Sequence, residues 1–262
     1  MILDQIIADR KKAVECLKNQ CSLTALMREI EYQNFASYSL KEALKMQSEE
    51  DDLHIIAEVK KASPSKGLIC ADFPYLDIAK DYEQGGAAAI SVLTEPKYFM
   101  GSPVYLTAIK EQANIPILRK DFIIDEWQIY QAKVIGADAI LLIVAALSKD
   151  QLQTYLKIAN SLGLEALVET HDEKEVEMAL AVGANIIGVN NRNLHTFEVS
   201  LDNTARLRHL VPKDKVFVSE SGIHKQEDLT FLKRIGCDAA LIGESLMMAP
   251  NRVEQLQLFR RC

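Results

Sequence analysis

The chain has 262 residues, with 48% hydrophobic and 26% charged side chains and a formal net charge of −7. Such a composition supplies a sizeable core and excludes disorder as the dominant state. A net negative chain repels a polyanion such as nucleic acid on average, so an anionic ligand would need locally placed cations.

The first fifty residues read as a helical extension. Leu3, Ile6, Ile7, Arg10, Val14 and Leu17 fall at helical spacing and predict an amphipathic helix lying on the body of the protein. Residues 22–32 read as a second helix and 39–47 as a third. Two placements of this extension fit the sequence equally: a plug at the N-terminal mouth of the fold that follows, or a cover over its active-site mouth. Acidic Asp4 and Asp9 argue against a signal peptide. The longest apolar run, residues 139–147, is far short of the roughly 18 residues that a membrane span requires.

From residue 54 onward, strand and helix signals alternate. A phrase of Gly, a small residue and a short apolar run recurs at Gly86-Ala87, Gly136-Ala137, Gly183-Ala184 and Gly236-Cys237. Glycine just past a helix end reaches the left-handed conformation cheaply, so each copy marks a helix-to-strand turn. Between the copies lie apolar runs at 54–60, 116–120, 164–169 and 215–220, and helical segments at 76–84, 126–135, 149–162, 173–182 and 226–235. Eight alternating units predict the α/β class and a closed (β/α)₈ TIM barrel, with residues 51–262 as barrel and 1–50 as its extension in a single domain. A doubly wound sheet is the competitor, but neither GxGxxG after the first strand nor GxxxxGK occurs.

The charges follow an odd-even pattern. Odd strands end in charged residues: Glu58 and Lys60 in the first, Lys120 in the third, Glu169 in the fifth and Glu220 in the seventh. Even strands end in neutral ones, among them Thr94, Asn190 and Gly243. Layers inside such a barrel come from alternate strands, so Lys60, Lys120, Glu169 and Glu220 are expected to converge at the C-terminal face, where barrel enzymes act. Glu58 and Lys60, two apart, share the inward face. Close packing of lysines and carboxylates separates acid from base, and a lysine stripped of hydration is expected to donate a proton near neutrality. The structural alternative is an ion-pair network that only fills the barrel top.

The loops after the last two strands, Ser221-Gly222-Ile223 and Gly243-Glu244-Ser245, occupy the place where many barrels hold a phosphate on backbone N–H groups and a short extra helix. The Lys61-to-Gly67 segment, rich in Ser, Pro and Lys, reads as a loop that closes over an anionic substrate. Five histidines (His54, His171, His195, His209, His224) lack metal-ligand spacing and read as surface or supporting groups. Five cysteines (Cys16, Cys21, Cys70, Cys237, Cys262) form no CxxC pair, so neither a disulfide framework nor a zinc site is expected, and a reducing cytoplasm is the simplest setting.

The run Ala57-Glu58-Val59-Lys60-Lys61-Ala62-Ser63-Pro64-Ser65-Lys66-Gly67 resembles the signature of the indole-3-glycerol phosphate synthase family of tryptophan biosynthesis. So do Leu93-Thr94-Glu95-Pro96-Lys97-Tyr98-Phe99, Leu118-Arg119-Lys120-Asp121-Phe122, Leu167-Val168-Glu169, Gly188-Val189-Asn190-Asn191-Arg192-Asn193-Leu194, Ser219-Glu220-Ser221-Gly222 and Leu241-Ile242-Gly243-Glu244-Ser245, in family order along the whole chain. The resemblance implies ring closure of 1-(2-carboxyphenylamino)-1-deoxyribulose 5-phosphate with loss of CO₂ and water. It implies Lys120 as the acid at the C2′ carbonyl, Lys60 at the substrate carboxylate and in the dehydration, and Glu169 as the base. Glu58 and Glu220 hold the lysines and substrate, while Asn190 and Arg192 position reacting groups. Ser63, Ser221, Gly222, Gly243 and Glu244 take the phosphate, and Phe99 and Phe122 pack on the anthranilate ring.

No metal or other cofactor is implied, and no nucleic acid, membrane or obligate protein partner. The small-molecule phosphosugar-anthranilate substrate is the one expected ligand. Pro96 departs from the family's commoner polar residue and stiffens its loop, and a chain ending at Cys262 after one barrel reads as monofunctional. Another phosphosugar barrel, such as an isomerase of the same pathway, is the rival enzyme, and a catalytically eroded scaffold the non-enzymatic rival. The Lys60, Lys120, Glu169 combination weighs against both.

Overall fold

A strand covered on both faces must be apolar throughout, and such strands run parallel when helices return the chain. The computed structural model describes residues 2–46, 52–193, 196 and 198–261. Among them eight parallel strands close into a barrel: β1 (His54–Val59), β2 (Ala89–Leu93), β3 (Ile117–Lys120), β4 (Ala139–Ile143), β5 (Glu165–Thr170), β6 (Ile186–Asn190), β7 (Val216–Glu220) and β8 (Ala239–Ile242). Closure is made by β1, which pairs with β2 (Ile56 opposite Ala89) and with β8 (His54 opposite Ala239). The fold is the TIM barrel expected from the repeat.

The four recurring glycines, Gly86, Gly136, Gly183 and Gly236, all have φ between +84° and +90°, as a left-handed turn from helix to strand demands. The helices before these turns are α4 (Tyr75–Gln84), α6 (Glu126–Val134), α8 (Glu173–Ala181) and α10 (Gln226–Arg234), each within a residue of its expected bounds. Between them lie α5 (Pro103–Lys110), α7 (Lys149–Ser161) and α9 (Asp202–Leu207), and after α10 come the short extra helix α11 (Glu244–Met247) and α12 (Arg252–Arg260).

The extension contains α1 (Ile2–Gln20), α2 (Leu23–Ile30) and α3 (Leu40–Leu44). The third helix is shorter than expected, and Gln47 lies outside the described residues, as do Leu194, His195 and Cys262. Both placements open in the sequence are occupied, by different parts of the extension. Leu40 and Leu44 of α3 are fully buried among Ala89, Ala139, Ile186, Val216 and Ala239, the first residues of their strands, so α3 plugs the N-terminal end. Ser39 caps α3 and also donates to Glu165, which accepts the Lys41 backbone N–H at 2.8 Å. Next, α2 packs against α6, where Val14, Leu26 and Trp127 form a small cluster and Trp127 Nε1 donates to the Cys21 carbonyl. From there α1 crosses to the other end of the barrel. Asp9 accepts from Lys97 Nζ and Tyr98 Oη at 2.6 Å, and Arg10 Nη2 lies 2.6 Å from buried Asp121.

Among the described residues no helix is long and apolar enough to cross a membrane. Cys16, Cys21, Cys70 and Cys237 are free thiols.

Candidate active site

The period of two along a strand sends alternate side chains into the barrel, and the last inward residue of each strand reaches its rim. Glu58 lies within β1 and Lys60 just beyond it, Lys120 ends β3, Glu169 is the penultimate residue of β5, and Glu220 ends β7. All five line one cavity at the C-terminal face. Asn190 and Arg192 from the end of β6, Ser221 and Gly222 after β7, and Gly243 and Glu244 after β8 line it too. Ser63 from the β1 loop and Phe99 and Phe122 from the β2 and β3 loops complete the residues expected there.

Two ion-pair groups divide the mouth. Lys60 Nζ lies 2.6 Å from Glu58 Oε1. Lys120 Nζ contacts Glu220 Oε2 directly and stands 3.5 Å from Glu169 Oε2. Burial opposes charge on Lys120, but Glu220, Glu169 and Glu58 outweigh it and raise its pKa above the ordinary lysine range. This corrects the expectation of a lysine shifted toward neutrality: three carboxylates around one ammonium keep it protonated. Burial pushes Glu220 upward, against Lys120 and with Glu169. Glu169 is also buried, but Lys120 and then His171 hold it below the usual carboxylate range. Glu220 Oε1 is buried with no hydrogen-bond partner among the described residues and packs on Gly188, where a Cβ would collide with it.

Gly243 has a specific reason to be glycine. A Cβ there would lie 2.5 Å from Glu58 Oε1 and 2.9 Å from Lys60 Nζ, so the residue makes room for that ion pair at the rim. The side chain of Glu244 is engaged by Lys66 Nζ at 3.0 Å, which ties the β1 loop to the start of α11. That loop contains a two-stranded hairpin, Ala62–Ser63 with Gly67–Leu68. After β7, Ser221 and Gly222 both adopt positive φ, at 70° and 82°.

Leu3 and Ile6 lie on the apolar helix face read from the sequence, whereas other features of the site carried no local signal. Ile2, Leu3 and Ile6 of α1 line the cavity, and Leu93, Leu141 and Leu241 form apolar wall from the even strands. Buried Glu95 accepts the backbone N–H groups of Lys97, Tyr98 and Phe99, folding the β2 loop around its own carboxylate and presenting Phe99. The Phe99 and Phe122 rings then sit 6.1 Å apart at 40°, a shape that accepts a flat aromatic group beside them. Asp121 is clamped by Arg119, Arg10 and Thr94, which fixes the backbone just after Lys120. A lysine between two carboxylates, an ion pair beside it, an aromatic wall and a rim of loop residues suit acid-base chemistry on an anionic aromatic substrate.

Comparison with known proteins agrees. The family model described as indole-3-glycerol phosphate synthase matches residues 3–258. An indole-3-glycerol phosphate synthase of Ruminiclostridium cellulolyticum is 52% identical over 261 residues, covering 99% of both chains. One of Endomicrobium trichonymphae is 54% identical over 260 residues, covering 98% of both. Among solved structures, a thiamine phosphate pyrophosphorylase from Pyrococcus furiosus has TM-score 0.59 at 16% identity, covering 85% of this chain and 96% of that one, a likeness of fold alone.

Proposed function

The chain belongs to the indole-3-glycerol phosphate synthase family, whose carboxy-lyase reaction in tryptophan biosynthesis it carries out, and we propose how its residues divide that reaction. The observation that carries the proposal is Lys120 lying between Glu169 and Glu220 in the cavity that also holds the Glu58–Lys60 pair.

Ring closure joins the ring carbon bearing the carboxylate to the C2′ carbonyl carbon, and negative charge builds on the C2′ oxygen. Lys120, held as an ammonium, donates its proton there. The lysine need not be shifted toward neutrality for this, because it gives up its proton to an oxyanion forming in the transition state. Closure leaves an iminium at the ring, and this is the electron sink for loss of CO₂, so the substrate supplies its own cofactor function. Lys60 holds the departing carboxylate beforehand. In the dehydration, Glu169 removes the C1′ proton as the C2′ hydroxyl leaves with a proton from Lys60, and the indole double bond forms.

Glu58 sets the position of Lys60, and Glu220 that of Lys120, and these carboxylates at the cavity also hold the substrate amine or hydroxyls. Asn190 accepts the Arg192 backbone N–H at 3.0 Å, a turn that suits both for positioning the reacting groups. The phosphate is taken by Ser63, Ser221, Gly222, Gly243 and the backbone at Glu244, whose side chain is turned to Lys66. Phe99 and Phe122 pack on the anthranilate ring.

On this reading the extension and barrel act as one unit, since α1 contributes to the cavity wall and α3 to the barrel floor. The setting is cytoplasmic, in keeping with the free thiols, and the reaction calls for no protein partner. Purified, chelator-treated protein is expected to turn the carboxyphenylamino-deoxyribulose phosphate into a product with indole absorbance. A folded preparation that fails to do so, with metals restored as well as without, overturns the proposal.

A further inference from the structure

One ionisable side chain stands behind the site and takes no part in the scheme above. His171 directly follows β5, two residues past Glu169, and therefore points to the same side of the sheet, above the rim. Its side chain is 15% exposed and lies between two carboxylates on opposite edges of the ring. Nδ1 is 3.0 Å from Glu175 Oε2 in the first turn of α8, and Nε2 is 3.4 Å from Glu169 Oε1. The backbone is equally fixed: the His171 N–H donates to Glu175 Oε2 at 2.7 Å, and its carbonyl accepts from Asn203 Nδ2 at 3.1 Å. Nε2 is buried and faces Glu169 Oε1 across 3.4 Å, a contact of charge and of a loosely aligned N–H donor.

The two oxygens of Glu169 thus face different cations, Oε2 toward Lys120 at 3.5 Å and Oε1 toward His171 at 3.4 Å. Neither distance is that of a tight ion pair, although Glu169 is nearly fully buried beside both cations. A base locked to the acid it must work beside would neutralise both. We propose that His171, anchored by Glu175, is a positioning residue that draws Glu169 back from Lys120 and so keeps the base and the acid of the proposed reaction apart. The inference rests on the role given to Glu169 above.

The charge required is available. Burial alone would lower the His171 pKa, but Glu169 and Glu175 push it up to about 10, so the ring is an imidazolium at neutral pH. The groups facing it are Glu169 from β5, Glu175 from α8 and the neutral Asn203 from α9; Glu169 in turn meets Lys120 from β3 and the amide of Asn190 from β6.

The geometry separates this role from simple support of α8. Glutamine places its amide nitrogen near the position of Nε2, whereas asparagine places it near Nδ1. His171→Gln keeps a donor for Glu169, and His171→Asn keeps one for Glu175. The expectation is that His171→Ala and His171→Asn each lower kcat by at least about tenfold with KM within about threefold, and that His171→Gln recovers most of the loss. Nitrogen chemical shifts of the imidazole at pH 8 should report the doubly protonated ring.

Equal rescue by asparagine and glutamine, a neutral ring at pH 8, or a folded His171→Ala with parental kcat would overturn the inference. Glu169→Gln is the control. If it is inactive while His171→Ala matches the parent, the positioning role fails alone; if it is fully active, the base role fails and takes the inference with it.

Discussion

The two ends of the barrel both bury charge, and they do so in opposite ways. At the N-terminal end, Lys110 meets both oxygens of Asp138, at 2.8 and 2.6 Å, and the same carboxylate accepts the backbone N–H groups of Ile117 and Tyr38. Asp238 repeats the arrangement one half-barrel away, with Lys45 at 3.1 Å and the N–H groups of Phe217 and Met46. Both of these aspartates have a cation and a full set of donors. At the C-terminal end, Glu169 and Glu220 share Lys120, and Glu220 Oε1 and His171 Nε2 remain without aligned partners. A saturated pair fixes structure, because burying charge is tolerable only when every lone pair is met. An unsaturated cluster is the more costly arrangement, and its incompletely met charges and movable protons are what a reaction needs.

The sharpest way to break this contrast is to remove one member of a buried ion pair from each end. Lys120→Ala should lower turnover by about 10²–10⁴-fold while much of the substrate affinity survives, as measured by steady-state kinetics and by calorimetric titration of a substrate analogue. An active variant would remove this lysine from the acid role. At the other end the loss should appear in stability. Asp138→Ala strands the Lys110 ammonium, 2% exposed, and should cost about 3–5 kcal/mol in denaturant unfolding. Its kcat should stay within about twofold of the parent at a permissive temperature, since the site lies at the far end of the barrel. A fall in kcat comparable with that of Lys120→Ala would mean that the ends are not separable.

The smallest effect is expected from Lys66→Ala, which cuts the tie between the β1 loop and Glu244. Lys66 is 55% exposed, so the stability change should be below about 1 kcal/mol, and KM should rise by no more than roughly fivefold through a looser loop. A large loss of kcat would instead place Lys66 on the substrate.

How legible this was in the sequence depended on whether the signal was local. The inward period of two and the charged ends of odd strands led directly to Glu58, Lys60, Lys120, Glu169 and Glu220, since strand geometry fixes where such residues point. The repeated glycines marked the turns for the same reason. The clamps were not legible. Arg10 and Asp121 are 111 residues apart, and Lys110 and Asp138 are 28 apart, so no periodicity links them. Asp138 and Asp238 stand two residues after the repeat glycines, where the phrase reads as an ordinary turn. They are the residues that fasten the extension to the barrel floor. The protonation of Lys120 could not be read either, because it depends on how many carboxylates barrel closure brings around it, and this outweighs the desolvation that the sequence suggested. His171 looked like any supporting histidine until Glu169 and Glu175 were seen on either side of its ring.

The most direct test of the unsaturated cluster as the reacting end is a crystal structure with the reduced substrate analogue, in which a hydroxyl replaces the C2′ carbonyl. Lys120 Nζ is expected within about 3 Å of the C2′ oxygen, with Glu169 facing C1′. A bound analogue whose C2′ oxygen meets no cation, or meets Lys60 with Lys120 still closed on Glu220, would contradict it.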